Sequence, residues 1–129
     1  LKDSDTVIVQ NFEDLEAWKI SINLAVEIYK LTKSFPKEEV FSLTNQMRRA
    51  STSISANIAE GCGRYNYKEK LQFYKIANGS LLEVKSFCYL SQKLDYISIV
   101  ELNNTIELIV SSQKLISGLI RGVKNKHEA

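Results

Sequence analysis

Tyr67–Leu94 reads YKEKLQFYKIANGSLLEVKSFCYLSQKL. Tyr74, Ala77, Leu81, Val84 and Cys88 recur at steps of three and four, the period of one helix face. Phe73, Ile76, Phe87, Leu90 and Leu94 make a second apolar stripe beside the first. Asn66 followed by Glu69 resembles a capping box with Asn in place of Ser or Thr. Gly79-Ser80 in the middle costs about 1 kcal/mol of helix propensity and permits a bend or the close approach of a neighbour. A helix apolar on more than one face has more than one partner surface to cover. This segment therefore calls for other helices around it, and for more than one bundle supplies.

Downstream, only about Asp95–Ile97 separates this helix from Ser98 and Glu101, a Ser/Glu capping box. So short a connection makes the third and fourth helices antiparallel neighbours. Leu102, Ile106, Ile109, Ile116, Ile120 and Val123 repeat along the fourth in coiled-coil fashion, interrupted by Gln113. Upstream, Leu43, Met47, Ala50, Ile54 and Ile58 predict a second helix over about Ser42–Glu60. Gly61 follows at the place of a left-handed C-terminal cap, and Asn57 lies on the buried seam, where its amide needs a partner. The first helix is predicted over about Phe12–Lys33. Its apolar face is Leu15, Trp18, Ile22, Ala25 and Tyr29, widened by Leu24, Ile28 and Leu31. Asn11 is placed to cap it, Glu13, Asp14 and Glu16 suit its dipole, and Pro36 disfavours helical geometry at Phe35.

The expected fold is all-α: an up-down-up-down four-helix bundle over residues 12–124. An arm over 1–11 precedes it, in which Thr6–Val9 forms a short strand or an extended stretch, and a tail over 125–129 follows. The 129 residues fit one domain, with 44% apolar and 25% charged side chains, enough for one core without metal or disulfide staples. The two cysteines, Cys62 and Cys88, match neither a metal-ligand spacing nor a disulfide framework and are expected to be reduced thiols. The longest apolar run, Phe87–Leu90, is far short of the roughly 20 residues that cross a bilayer. No signal-peptide pattern opens the sequence, so a cytoplasmic protein without membrane attachment is expected.

Catalysis is not expected. His127 is the only histidine, which excludes the paired Glu-x-x-His motifs of a di-iron bundle. A Ser-His or Cys-His nucleophile would need His127 to fold back from the tail onto Cys62, Cys88 or the Ser51–Ser55 cluster. The Gly61–Arg64 turn lacks the spacing and the preceding strand of a phosphate loop. Neither a metal nor a cofactor is called for.

Charge is the remaining signal. The net charge is only +2, but residues 47–75 carry net +4 and residues 114–129 net +3, against −3 over 1–46 and −2 over 76–113. Arg48, Arg49, Arg64, Lys68, Lys70 and Lys75, interleaved with Tyr65 and Tyr67, are candidates for holding RNA or DNA. Their cations neutralise phosphates and their tyrosines stack on unpaired bases. Arg121 and Lys124 belong to a second basic set near the C-terminus. The competing assignment gives the arginines to ion pairs within or between subunits and the last lysines to helix-dipole compensation. The protein is then an adaptor for a protein partner.

Four blocks resemble a known family: FEDLEAWK at Phe12–Lys19, IYKLTKSFPKEE at Ile28–Glu39, QMRRASTSISANIAEGCGR at Gln46–Arg64 and QFYKIANGSLLE at Gln72–Glu83. They resemble the bacterial four-helix-bundle proteins encoded by intervening sequences of 23S ribosomal RNA genes, and the fourth helix agrees in pattern. Ser55 stands where the family usually has a proline, and Cys62 where it has a larger apolar residue. The resemblance implies a bundle that assembles into a ring of five. It also implies a relationship to accessory proteins of diversity-generating retroelements, basic pentamers that bind nucleic acid and a reverse transcriptase. It does not imply a role as a ribosomal subunit.

Overall fold

The computed structural model describes residues 11–128, with side chains as far as His127. Four helices account for most of it: α1 (Glu16–Thr32), α2 (Leu43–Cys62), α3 (Tyr67–Lys93) and α4 (Ile99–Glu128), with 3-10 turns at Phe12–Asp14 and Lys37–Glu39. There is no strand among the described residues; Thr6–Val9 lies outside them. Helices adjacent in sequence pack together and α4 closes back on α1, whereas the diagonal pairs α1/α3 and α2/α4 do not meet. Alternation of direction follows from the cross-links. Ser91 near the end of α3 donates to Met47 Sδ near the start of α2 (3.4 Å), and Ser80 meets Ser53 at mid-length (3.0 Å). Tyr96 after α3 donates to Glu39 before α2 (2.7 Å).

The core follows the expected stripes of α2 and α3. Met47, Ile54, Ile58, Ala77, Leu81, Val84 and Cys88 have no exposed surface. Two faces are rotated from expectation. On α1 the inward residues are Ala17, Ser21, Leu24, Ala25, Ile28, Leu31 and Thr32, while Trp18 and Ile22 lie at the flank and Tyr29 is exposed. On α4 the inward set is Leu102, Thr105, Ile109, Ser112 and Ile116, an unbroken three-four repeat that Gln113 does not interrupt. The physical reason is the same in both helices. A buried hydroxyl can donate to the carbonyl one turn back, as Ser21 does to Ala17 (2.7 Å), Thr105 to Glu101 (2.8 Å) and Ser112 to Leu108 (2.9 Å). Small satisfied residues thus occupy seams where the pattern of large apolar residues pointed elsewhere.

The helix ends also separate expectation from structure. Asn66 caps α3 as expected, accepting from the amides of Lys68 (2.8 Å) and Glu69 (3.3 Å), and Ser98 and Glu101 complete a reciprocal box (3.0 and 2.8 Å). Asn11 makes no side-chain cap; α1 begins after Leu15, whose extended backbone breaks the run. That break lets Leu15 enter the core while Phe12 packs edge-on against Trp18 at 5.2 Å. Gly61 is not a left-handed cap either, since α2 continues through Cys62 and no glycine has positive φ among the described residues. A Cβ on Gly61 would stand 2.7 Å from the ring of Tyr74, so this glycine permits the close approach of α3. The left-handed residue is Asp95, φ 61°. Its amide donates to Gln92 O (3.0 Å) and that of Tyr96 to Ser91 O (2.9 Å), the paired bonds of a Schellman ending.

With Ser55 and no proline in α2, the helix keeps every backbone donor and runs without interruption. Gly79 meets nothing within 4 Å, so it serves no close approach inside the subunit. α4 extends to Glu128, past residue 124 where a tail was expected.

Candidate nucleic-acid interface

At one end of the bundle the C-terminus of α2, the N-terminus of α3 and the C-terminus of α4 come together. The two basic segments, separated in sequence by an acidic stretch, therefore share one corner. The direct link is Tyr67, whose ring stacks on His127 with centroids 3.3 Å apart and planes 13° from parallel. Packing of α3 against α4 thus brings Arg121 and Lys124 to the end that carries Arg64, Tyr65, Lys68 and Lys70. Lys75 stands two turns further along α3. Glu13, Asp14 and Glu16 sit at the start of α1, the helix diagonal to α3, so this end is split into a basic side and an acidic corner.

The basic side chains are not equivalent. Arg64 pairs with Glu60 (3.0 Å) and Glu69 (3.5 Å) and lies over the Phe73 ring at 5.0 Å. Lys70 donates to the carbonyls of Gly61 (3.1 Å) and Cys62 (2.9 Å), capping the negative end of the α2 dipole. These two hold the corner together. Lys68, Lys75, Arg121 and Lys124 are exposed and have no ion pair among the described residues. Tyr65 is 96% exposed. The first turns of α3 present an open, shallow face formed by Tyr67, Lys68, Leu71, Gln72, Lys75 and Ile76.

Arg48 and Arg49 are elsewhere, near the start of α2 and roughly 20 Å along its axis from the Gly61 turn, at 1.5 Å per residue. Arg48 donates to Thr32 Oγ1 (2.9 Å) and lies over the Tyr29 ring at 4.6 Å, tying α2 to α1. Arg49 is exposed. Asn57 finds its partner locally, donating to the carbonyl (2.8 Å) and hydroxyl (2.9 Å) of Ser53, and Ser53 is in turn bonded to Ser80 of α3. Sequence reasoning missed His127, whose aromatic ring joins the corner only because α4 runs on through the expected tail.

A family model described as 23S rRNA-intervening sequence protein matches residues 13–118. The chain belongs to that family. Among solved structures, this 23S rRNA-intervening sequence protein is similar to a protein of unknown function from the S23 ribosomal protein family of Bacteroides thetaiotaomicron VPI-5482. The TM-score is 0.76 at 23% identity, covering 87% of this chain and 99% of the other. At that identity the likeness establishes the fold. No curated protein matches.

No group of three or more His, Cys, Asp or Glu is arranged to hold a metal among the described residues. No helix among them is long and apolar enough to cross a membrane. Burial pushes the Cys88 thiol up to about 12, which keeps it protonated and unreactive at neutral pH.

Proposed function

We propose that this member of the 23S rRNA-intervening sequence protein family is a non-enzymatic, cytoplasmic binding protein that assembles from several copies and holds RNA or DNA on a basic corner repeated in each copy. The observation that carries the reading is the convergence of two basic segments on one end, around the Tyr67–His127 stack. Four exposed cations per subunit give weak, salt-sensitive binding. Repetition around a ring raises avidity wherever the ligand reaches several copies. The number five for the ring rests on the family resemblance alone.

The test is a titration of labelled RNA and DNA at several salt concentrations. For a single strand, log K is expected to fall against log salt with a slope of about −0.7 per phosphate neutralised. Replacing Lys68, Lys75, Arg121 and Lys124 together by Gln flattens that slope and weakens binding for every sequence. Arg49→Gln, exposed and away from the corner, leaves the slope unchanged. Arg64 and Lys70 are unsuitable probes, because their loss also loosens the α2–α3 turn. Absence of binding at low salt by the intact assembly rejects the reading.

One observation favours the adaptor alternative. At the opposite end Phe41 is 93% exposed, and Val40, Leu94, Ile99 and Val100 beside the two connections are each about half exposed or more. An apolar end of this kind suits a protein partner. A stable complex recovered with a Phe41→Ser-sensitive partner, together with no affinity for nucleic acid, would carry that alternative.

A further inference from the structure

Resting on the nucleic-acid reading above, we infer that the basic corner is built for unpaired strands, with bases laid on Tyr65 and along the exposed face of α3 between Lys68 and Lys75. The ligand class is single-stranded nucleic acid, RNA or DNA.

Three features set this apart from a surface that only neutralises phosphate. First, Tyr65 is 96% exposed in the loop between α2 and α3 and makes no ring contact with any described residue. A large flat ring exposed to water, three residues before Lys68, is a surface on which a base can stack. Every base has a π-face to offer it, whatever the sequence. Second, the cations do not form a continuous ridge. Lys68 and Lys75 stand two turns apart on α3, about 10 Å at 1.5 Å per residue, and between them the helix face presents Leu71 and Gln72. A duplex presents phosphates and groove edges and covers its base faces, so it has no use for an apolar floor between two ammonium groups. An unpaired strand has bases to place on that floor, and the Gln72 amide offers a donor and an acceptor to a base edge. Third, the Tyr67 ring at the start of this face is held flat against His127, with centroids 3.3 Å apart. Two rings from different helices fix each other's orientation, so this end of the face is set before a ligand arrives.

The experiment uses the full chain and a set of 20-nucleotide probes of one sequence: single-stranded RNA, single-stranded DNA and the DNA duplex, followed by fluorescence anisotropy. Both single strands are expected to bind at least about tenfold tighter than the duplex. Tyr65→Ala is expected to weaken single-strand binding by roughly fivefold or more, the loss of one stacked base. It should leave the salt slope and the duplex affinity as they were, while Tyr65→Phe retains the parent affinity. Because Tyr65 is exposed, its replacement does not disturb the fold, and an unchanged helical spectrum checks this. Equal affinity for strand and duplex, or a Tyr65→Ala variant that binds like the parent, overturns the inference and leaves an unspecific basic surface in place. No binding of any probe at low salt overturns the nucleic-acid reading itself. Tighter binding of RNA than DNA keeps the inference and assigns the difference to the 2′-hydroxyl.

Discussion

Gly61 is a residue whose role depends on what stands opposite it. The Tyr74 ring, only 3% exposed, has no room to retreat, and a new methyl would meet two of its carbons at 2.7 and 2.9 Å. Gly61→Ala is therefore expected to destabilise the fold by roughly 1–3 kcal/mol of overpacking, against about 1 kcal/mol gained in helix propensity. Gly122→Ala, in open space on α4, is expected to show the gain alone; chemical denaturation of the two variants compares them directly. Glu39 allows a second test. Hydrogen bonds from Ser42 and Tyr96 hold its carboxylate below the usual range. A lowered value means stability that is present above about pH 4.5 and lost as pH falls through the folded-state value. The same bond raises the Tyr96 phenol, so that contribution is lost at the alkaline end. Glu39→Gln is expected to lower the melting temperature at pH 7 and to converge with the parent once acid has protonated the folded-state carboxylate.

At the scale of the element, helix ends were legible where a side chain does the capping. Asn66, Ser98 and Glu101 announce themselves because their oxygen atoms lie within reach of amides two or three residues on. The place where α3 ends was legible to about a residue, but its cap was not, because that cap is a backbone conformation at Asp95, a residue that does not advertise it. Asp95 adopts positive φ so that Tyr96 can reach both Ser91 O and Glu39. An L-residue there costs about 1–2 kcal/mol, while glycine brings an entropic cost of roughly 0.5–1 kcal/mol. Asp95→Gly is expected to raise stability slightly, by about 0.5–1 kcal/mol, and Asp95→Val to lower it, both read as shifts in the denaturation midpoint at unchanged slope. The faces of α1 and α4 carry the same lesson. Ser21, Thr105 and Ser112 read as surface residues in a sequence and are core residues in the bundle, because each satisfies its hydroxyl within its own helix.

For the whole molecule, the outer stripe of α3 is the part that the bundle does not use. Leu90 and Leu94 each keep nearly half of their surface exposed. The proposed assembly gives that surface a cover. Leu90→Glu with Leu94→Glu is expected to reduce the sedimenting species to a folded single chain of about the 14.7 kDa sequence mass, with an unchanged helical spectrum. Ile54→Asp, by contrast, is expected to unfold the protein, since an unpaired carboxylate in the core costs several kcal/mol. A parent that already sediments as one chain at micromolar concentration removes the assembly claim.

The sequence by itself determined the number of helices, their order and most of the core of α2 and α3, because a three-four repeat of large apolar residues admits few other solutions. It also marked most of the charged residues of the corner. Only the tertiary structure decided which of them stand free. Arg64 and Lys70 are absorbed by the α2–α3 turn and Arg48 by α1, whereas Lys68, Lys75, Arg121 and Lys124 are exposed without an ion pair among the described residues. Charge is countable along a chain, but ion pairs and dipole caps form between segments. A patch exists only after antiparallel packing has carried the end of α4 back to the start of α3.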